Sequence, residues 1–128
     1  MNTTKEENKK IVTAFYELAF NQHKPEEAAR KYIALPYTQH NPDVANGPEG
    51  FNQFAAEFLK KHPKVRVTVF KALADGDHVV LHVNIKLNES DLGVAVAEFF
   101  RLENKKLVEH WDVMQPVPEK TASGNPIF

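Results

Sequence analysis

Asp75-Gly76-Asp77, followed by His78-Val79-Val80-Leu81-His82-Val83-Asn84-Ile85, decides the fold class. The Asp-Gly pair is the strongest short signal for a tight hairpin. Beyond it, Val79, Leu81, Val83 and Ile85 fall on one face of an extended chain and make that face wholly apolar. Val80, His82 and Asn84 fall on the other, because side chains alternate along a strand. The same period runs outward in both directions. Upstream, Val65, Val67 and Val69 form the face of a preceding strand. Downstream, a polar loop from Asn88 to Asp91 leads to a strand over about residues 93–102. Asn104-Lys105 then makes a second tight turn, and a fourth strand covers about residues 106–115. The tail from Pro116 to Phe128 is read as irregular.

The chain ahead of this meander has helical periodicity instead. Thr3 with Glu6, or Thr4 with Glu7, offers a capping box. Ile11, Ala14, Phe15 and Leu18 then recur at helical spacing, which predicts a helix from about residue 4 to about residue 21. Pro25 suits the first turn of a second helix, which carries Ala28, Ala29, Tyr32 and Ile33 and stops before Pro36. Leu35 to Gly47 is expected to be irregular, with Pro36, Asn41-Pro42 and Asn46-Gly47 as breakers. Pro48 opens a third helix whose stripe of Phe51, Phe54, Ala55, Phe58 and Leu59 reads as core, and His62-Pro63 ends it. Helices first and strands after predict an α+β domain over residues 1–128, with the helices on one face of an antiparallel sheet that curls around the long helix. Neither an internal repeat nor a linker divides the chain.

Composition narrows the function. The chain has 128 residues, suited to one domain. Its formal net charge is −1, with 16 Lys+Arg against 17 Asp+Glu, which argues against a nucleic-acid partner, since phosphate contacts need clustered positive charge. There are no cysteines, so disulfides, thiolate metal sites and cysteine nucleophiles are excluded. The two serines, Ser90 and Ser123, stand in no nucleophile elbow. The five glycines form no phosphate cradle. No apolar run approaches the roughly 20 residues that span a bilayer, and the polar start Met1-Asn2-Thr3-Thr4 is not a signal peptide. The expectation is a cytoplasmic domain with no membrane partner, whose chemistry would come from His, Asp, Glu, Tyr, Lys or Asn.

Polar residues on strand faces mark where that chemistry sits. His82 and Asn84 share a face on the second strand. Glu98 shares one with Val94, Val96 and Phe100 on the third. On the fourth, Val108, His110, Asp112 and Met114 share one face, and Leu107, Glu109, Trp111 and Val113 take the other. Apolar walls with a few convergent polar groups describe a small-molecule pocket, although a sheet with one solvated face alternates in the same way. Burial would raise the pKa of a carboxylate on such a face and suit it to proton transfer near neutral pH. Tyr37-Thr38-Gln39-His40-Asn41-Pro42 crowds further donors and acceptors into what reads as a loop, where turn chemistry and function are both open. His110 and Asp112, with His82 or His40, could also make a two-histidine, one-carboxylate metal set, but nothing in the spacing requires it, and neither metal nor cofactor is expected. Trp111, opposite Asp112, is either core or a contact with a second copy.

Two stretches resemble the SnoaL-like polyketide cyclase family of the NTF2-like superfamily. One is Tyr37-Thr38-Gln39-His40-Asn41-Pro42 with Gly47-Pro48-Glu49-Gly50-Phe51. The other runs Glu98-Phe99-Phe100-Arg101-Leu102-Glu103-Asn104-Lys105-Lys106-Leu107-Val108-Glu109-His110-Trp111-Asp112-Val113. The resemblance implies a cone-shaped α+β barrel of three helices against a curved sheet, usually a homodimer. It also implies an intramolecular aldol condensation without metal or cofactor. Asp112 matches the family's late acid/base aspartate, with His40, His82 and His110 as pocket partners; Glu98 stands where an aspartate is more usual. Asp112, His110 and His82 are thus the expected catalytic residues. His40, Tyr37, Asn84, Glu98, Phe100 and Met114 are the expected contacts to a small apolar or carbonyl-containing molecule. The same fold hosts non-catalytic binders, so a small-molecule-binding protein is the alternative to a cyclase or isomerase, and a protein-interaction domain is a third reading.

Overall fold

The computed structural model describes residues 3–128. Helix α1 (Thr3–Tyr16) runs directly into a π-helical turn (Glu17–Asn21). Then follow α2 (Pro25–Tyr32), β1 (Ile33–Gln39), α3 (Gly47–Lys61), β2 (Arg66–Asp75), β3 (His78–Lys86), β4 (Val94–Glu103) and β5 (Lys106–Pro116). The strands form one open sheet in the order β1-β5-β4-β3-β2. The β2–β5 meander is antiparallel as expected, while β1 pairs parallel with β5. The cap expected at Thr3 and the polar start at Met1-Asn2 lie outside the described side chains.

The helices cover the concave face of the sheet. Val12, Phe15, Ala19, Ala28 and Ala55 meet Leu81, Val83, Val96 and Phe100 in one buried cluster. Phe15 and Phe100 pack edge to face, with centroids 6.0 Å apart, a pairing worth about 0.5–1.5 kcal/mol beyond the area it buries. The end of the first helix is fixed to edge strand β2 by one side chain. Asn21 Nδ2 donates to the Val67 carbonyl at 2.9 Å, and the Val67 N–H donates to Asn21 Oδ1 at 2.8 Å, so an amide stands in for a neighbouring strand.

Four expectations need correction. The expected helix to residue 21 leaves α geometry after Tyr16 and ends in the wider π turn. Ile33 opens a strand rather than closing a helix, and Leu35 to Gln39, expected to be irregular, belongs to that strand. Pro36 read as a breaker, but on an edge strand its missing N–H costs no ladder bond, and the pairing register breaks between Ile33 and Thr38. The sheet is therefore mixed and five-stranded. Finally, a register shift between Arg101 and Leu102 pairs Leu102 with Leu107 but Arg101 with Glu109. That bulge puts Leu107 in the core instead of on the outer face with Glu109, and Val108 drops out of line with His110.

At the β3–β4 loop, Gly93 holds φ at +77°, and a Cβ there would sit 2.1 Å from the Ile85 carbonyl oxygen, so the close turn requires glycine. The tail beyond Pro116 has no regular structure, yet it returns to the outer face of the sheet, where the Phe128 ring stacks on Phe70 at 4.4 Å. Among the described residues, no helix is long and apolar enough to cross a membrane.

Candidate active site

Strand register sets which polar groups meet. Directly paired residues of antiparallel strands share a face. One row across the concave face is therefore Ala72, Leu81, Glu98 and Asp112. The next is Ala74, Val79, Phe100, His110 and Gln39. Glu98 thus stands opposite Asp112, with His110 one row along. The helices close over this patch with aromatic rings, leaving a cavity of about 390 Å³ between them, within the range of small-molecule sites. Phe15, Phe20, Phe51, Phe54 and Phe58 line its helical wall, and Tyr16, Gln39, Asn41, Glu98, His110 and Asp112 gather at its polar end.

Two carboxylates facing each other across a strand pair repel, and the surrounding donors offset this. Tyr16 Oη donates a short hydrogen bond to Glu98 Oε2, and Glu98 Oε1 lies 2.6 Å from His110 Nε2. Asn41 Nδ2 donates to both oxygens of Asp112, at 3.0 and 2.8 Å. His110 Nε2 is 3.8 Å from Asp112 Oδ2, and its Nδ1 is 2.6 Å from Gln39 Oε1. Glu98 and His110 are buried, at 4% and 8% of their full exposure. The phenols of Tyr16 and Tyr37 are held protonated, well above the ordinary tyrosine range. Burial is the larger cause for both, and the negative charge of Glu98 adds to it. A phenol that keeps its proton is a hydrogen-bond donor, the part Tyr16 plays toward Glu98.

Glu98, His110 and Asp112 each place one potential ligand atom within 4.8 Å of the others. Those atoms are already spent on one another and on Asn41 and Tyr16, so a cation would have to displace the hydrogen bonds that hold the site together.

Of the residues singled out in the sequence, Asp112, His110, Glu98, Tyr37, Phe100 and Met114 line the cavity. His82, Asn84 and His40 do not. His82 pairs with Ala97 on the outer face and packs against Phe128 at 5.4 Å. The apolar face of β3, not the polar one, turns toward the site, because Leu81 is the residue paired with Glu98. Asn84 is buried but spends its amide on the Leu92 and Val94 carbonyls, bracing the β3–β4 loop. His40 also lies outside, stacked flat on Trp111 at 4.8 Å and hydrogen-bonded to Glu109. Tyr16, Gln39 and Asn41 went unpredicted. Had Tyr37 to Asn41 been read as extended chain, alternation would have set Tyr37, Gln39 and Asn41 together and His40 opposite. The α3 stripe, expected to be core, has Phe51 and Ala55 in the buried cluster with Phe58 packed against it, and its Phe51, Phe54 and Phe58 rings also form the cavity wall.

Known proteins agree with this architecture. A family model described as SnoaL-like polyketide cyclase matches residues 10–120. No curated protein matches significantly. Among solved structures, a candidate polyketide cyclase from Acidithiobacillus ferrooxidans superposes with a TM-score of 0.74 at 21% identity, covering 85% of this chain and 88% of that one. A candidate ketosteroid isomerase from Kribbella flavida gives 0.71 at 15% identity, over 91% and 83%. TsrD from Streptomyces laurentii gives 0.66 at 18%, over 80% and 84%. At such identities the likeness is one of fold, and the fold is the NTF2-like α+β cone with its sheet left open.

Proposed function

This chain belongs to the SnoaL-like polyketide cyclase family, and on that premise we propose that it removes a proton next to a carbonyl in a small apolar molecule, as a cofactor-independent cyclase or isomerase with Asp112 as the base. The observation that carries the reading is the setting of Asp112. Its carboxylate stands at the polar end of a cavity walled by phenylalanines, with both oxygens held by Asn41. A base restrained in this way needs little reorganisation to meet a C–H bond. His110, hydrogen-bonded to Glu98 beside Asp112, supplies the nearby donor that a developing enolate oxygen requires. His82 has no part in this chemistry, since it faces away.

β-Tetralone in D2O is a suitable probe, read as α-hydrogen to deuterium exchange by proton NMR. The wild-type protein should accelerate exchange, and Asp112→Asn should lose about 10²–10⁴-fold of that acceleration. Unchanged exchange in D112N would overturn the assignment of the base. Binding of the ketone without any acceleration would favour the alternative, a small-molecule binder that uses the same apolar walls.

The functional unit in this proposal is a homodimer formed through the outer face of the sheet. Leu73, Val80, Phe99 and Trp111 are paired in register across four strands there. Leu73 is 62% exposed and neighbouring Val113 is 69% exposed. An apolar row exposed at Leu73 and half-buried at Val80, Phe99 and Trp111 is what a second copy would cover.

A further inference from the structure

We propose that Gln39 is a positioning residue that locks His110 with its proton on Nδ1, so that the single proton between His110 Nε2 and Glu98 Oε1 serves as the acid while Asp112 serves as the base. The proposal deepens the proton-abstraction reading and rests on it for its chemistry, but the lock itself follows from hydrogen-bond direction alone.

A backbone N–H can only donate. The Asn41 N–H points at Gln39 Oε1 at 2.9 Å, so that end of the Gln39 amide is the oxygen. The same oxygen lies 2.6 Å from His110 Nδ1. An oxygen that only accepts obliges Nδ1 to carry a hydrogen. The Asp43 N–H likewise donates to Asn41 Oδ1 at 2.8 Å. That fixes the Asn41 amide with its NH₂ toward Asp112, which therefore receives hydrogen bonds on both oxygens. With Nδ1 protonated, the 2.6 Å contact between Nε2 and Glu98 Oε1 holds one proton, whether written as imidazolium with carboxylate or as neutral imidazole with carboxylic acid. Tyr16 occupies the other Glu98 oxygen as a donor, which leaves that proton on the side toward His110.

The site therefore holds two distinct proton-handling groups side by side. Asp112 accepts the α-hydrogen while the C–H electron pair becomes the enol double bond, and the carbonyl oxygen takes the proton from the Glu98–His110 pair. When the enol carbon attacks a second carbonyl carbon, the enol O–H proton returns to that pair. The new alkoxide takes the proton held by Asp112. Every proton is accounted for, and the protein returns to its starting state. Gln39 touches no substrate in this scheme; it acts through His110.

The test is nitrogen-15 NMR of histidine-labelled protein without ligand, with the His110 ring signals assigned by their loss in His110→Asn. In the wild type, Nδ1 should carry a hydrogen. Gln39→Glu, which keeps an acceptor oxygen in place, should retain that signal. Gln39→Leu, which removes it, should lose the fixed Nδ1–H and show exchange between ring forms. A wild-type ring with a bare Nδ1 overturns the lock, and a Gln39→Leu spectrum identical to wild type overturns the role of Gln39. Because no turnover is measured, a protein that failed to exchange β-tetralone could still pass this test, and an active one could still fail it.

Discussion

Asp112 and Tyr37 show how burial divides the roles of ionisable groups in one cavity. Both line it, yet Asp112 has amide donors at each oxygen, while the Tyr37 phenol is pushed up, first by burial and then by the charges of Glu98 and Asp112. A raised phenol pKa is also a statement about stability. The unfolded chain releases the proton near pH 10 and the folded chain does not. Folding is therefore unpenalised below that value and progressively opposed as pH rises above it. Tyr37→Phe removes one such group, so its alkaline unfolding midpoint, followed by circular dichroism, should move to higher pH than that of the wild type. A midpoint that stays put or falls would mean that Tyr37 ionises freely in the folded protein.

At the scale of elements, strands were easier to find in the sequence than to orient. The alternation in β3 located the strand well, but the period cannot say which face is covered, and a polar face with His82 and Asn84 attracted a functional reading. Only the pairing of Leu81 with Glu98 settles the matter, and pairing is a long-range property. β1 shows the complementary difficulty. Its seven residues contain Pro36 and sit at an edge, so local propensity argues against a strand that exists because β5 offers it partners. With β1 went the site's contributions from Gln39 and Asn41. The π turn was hidden for another reason: Glu17–Asn21 has ordinary helical composition, and the tertiary clamp of Asn21 on Val67 is absent from any local window. β4 and β5, by contrast, could be read almost whole, and with them Glu98, Phe100, His110 and Asp112. The error at Leu107 came from a single bulge.

Over the whole molecule, the open sheet presents two different faces. Its concave face and the helices enclose the cavity, and its convex face carries the apolar row through Leu73, Val80, Phe99 and Trp111. Val113 is exposed beside that row, so Val113→Glu should leave the fold within about 0.5 kcal/mol of wild type while halving the mass found by sedimentation equilibrium. A wild-type protein that is already monomeric, or a V113E dimer, would remove the outer face from the account. Whether Asp112 meets a substrate carbon inside the cavity is decided by a crystal structure with bound β-tetralone. The ketone α-carbon should lie roughly 3–3.5 Å from an Asp112 oxygen, with the carbonyl oxygen turned toward His110 and Glu98. A ketone seated with its carbonyl among the phenylalanines, or bound only on the convex face, would contradict it.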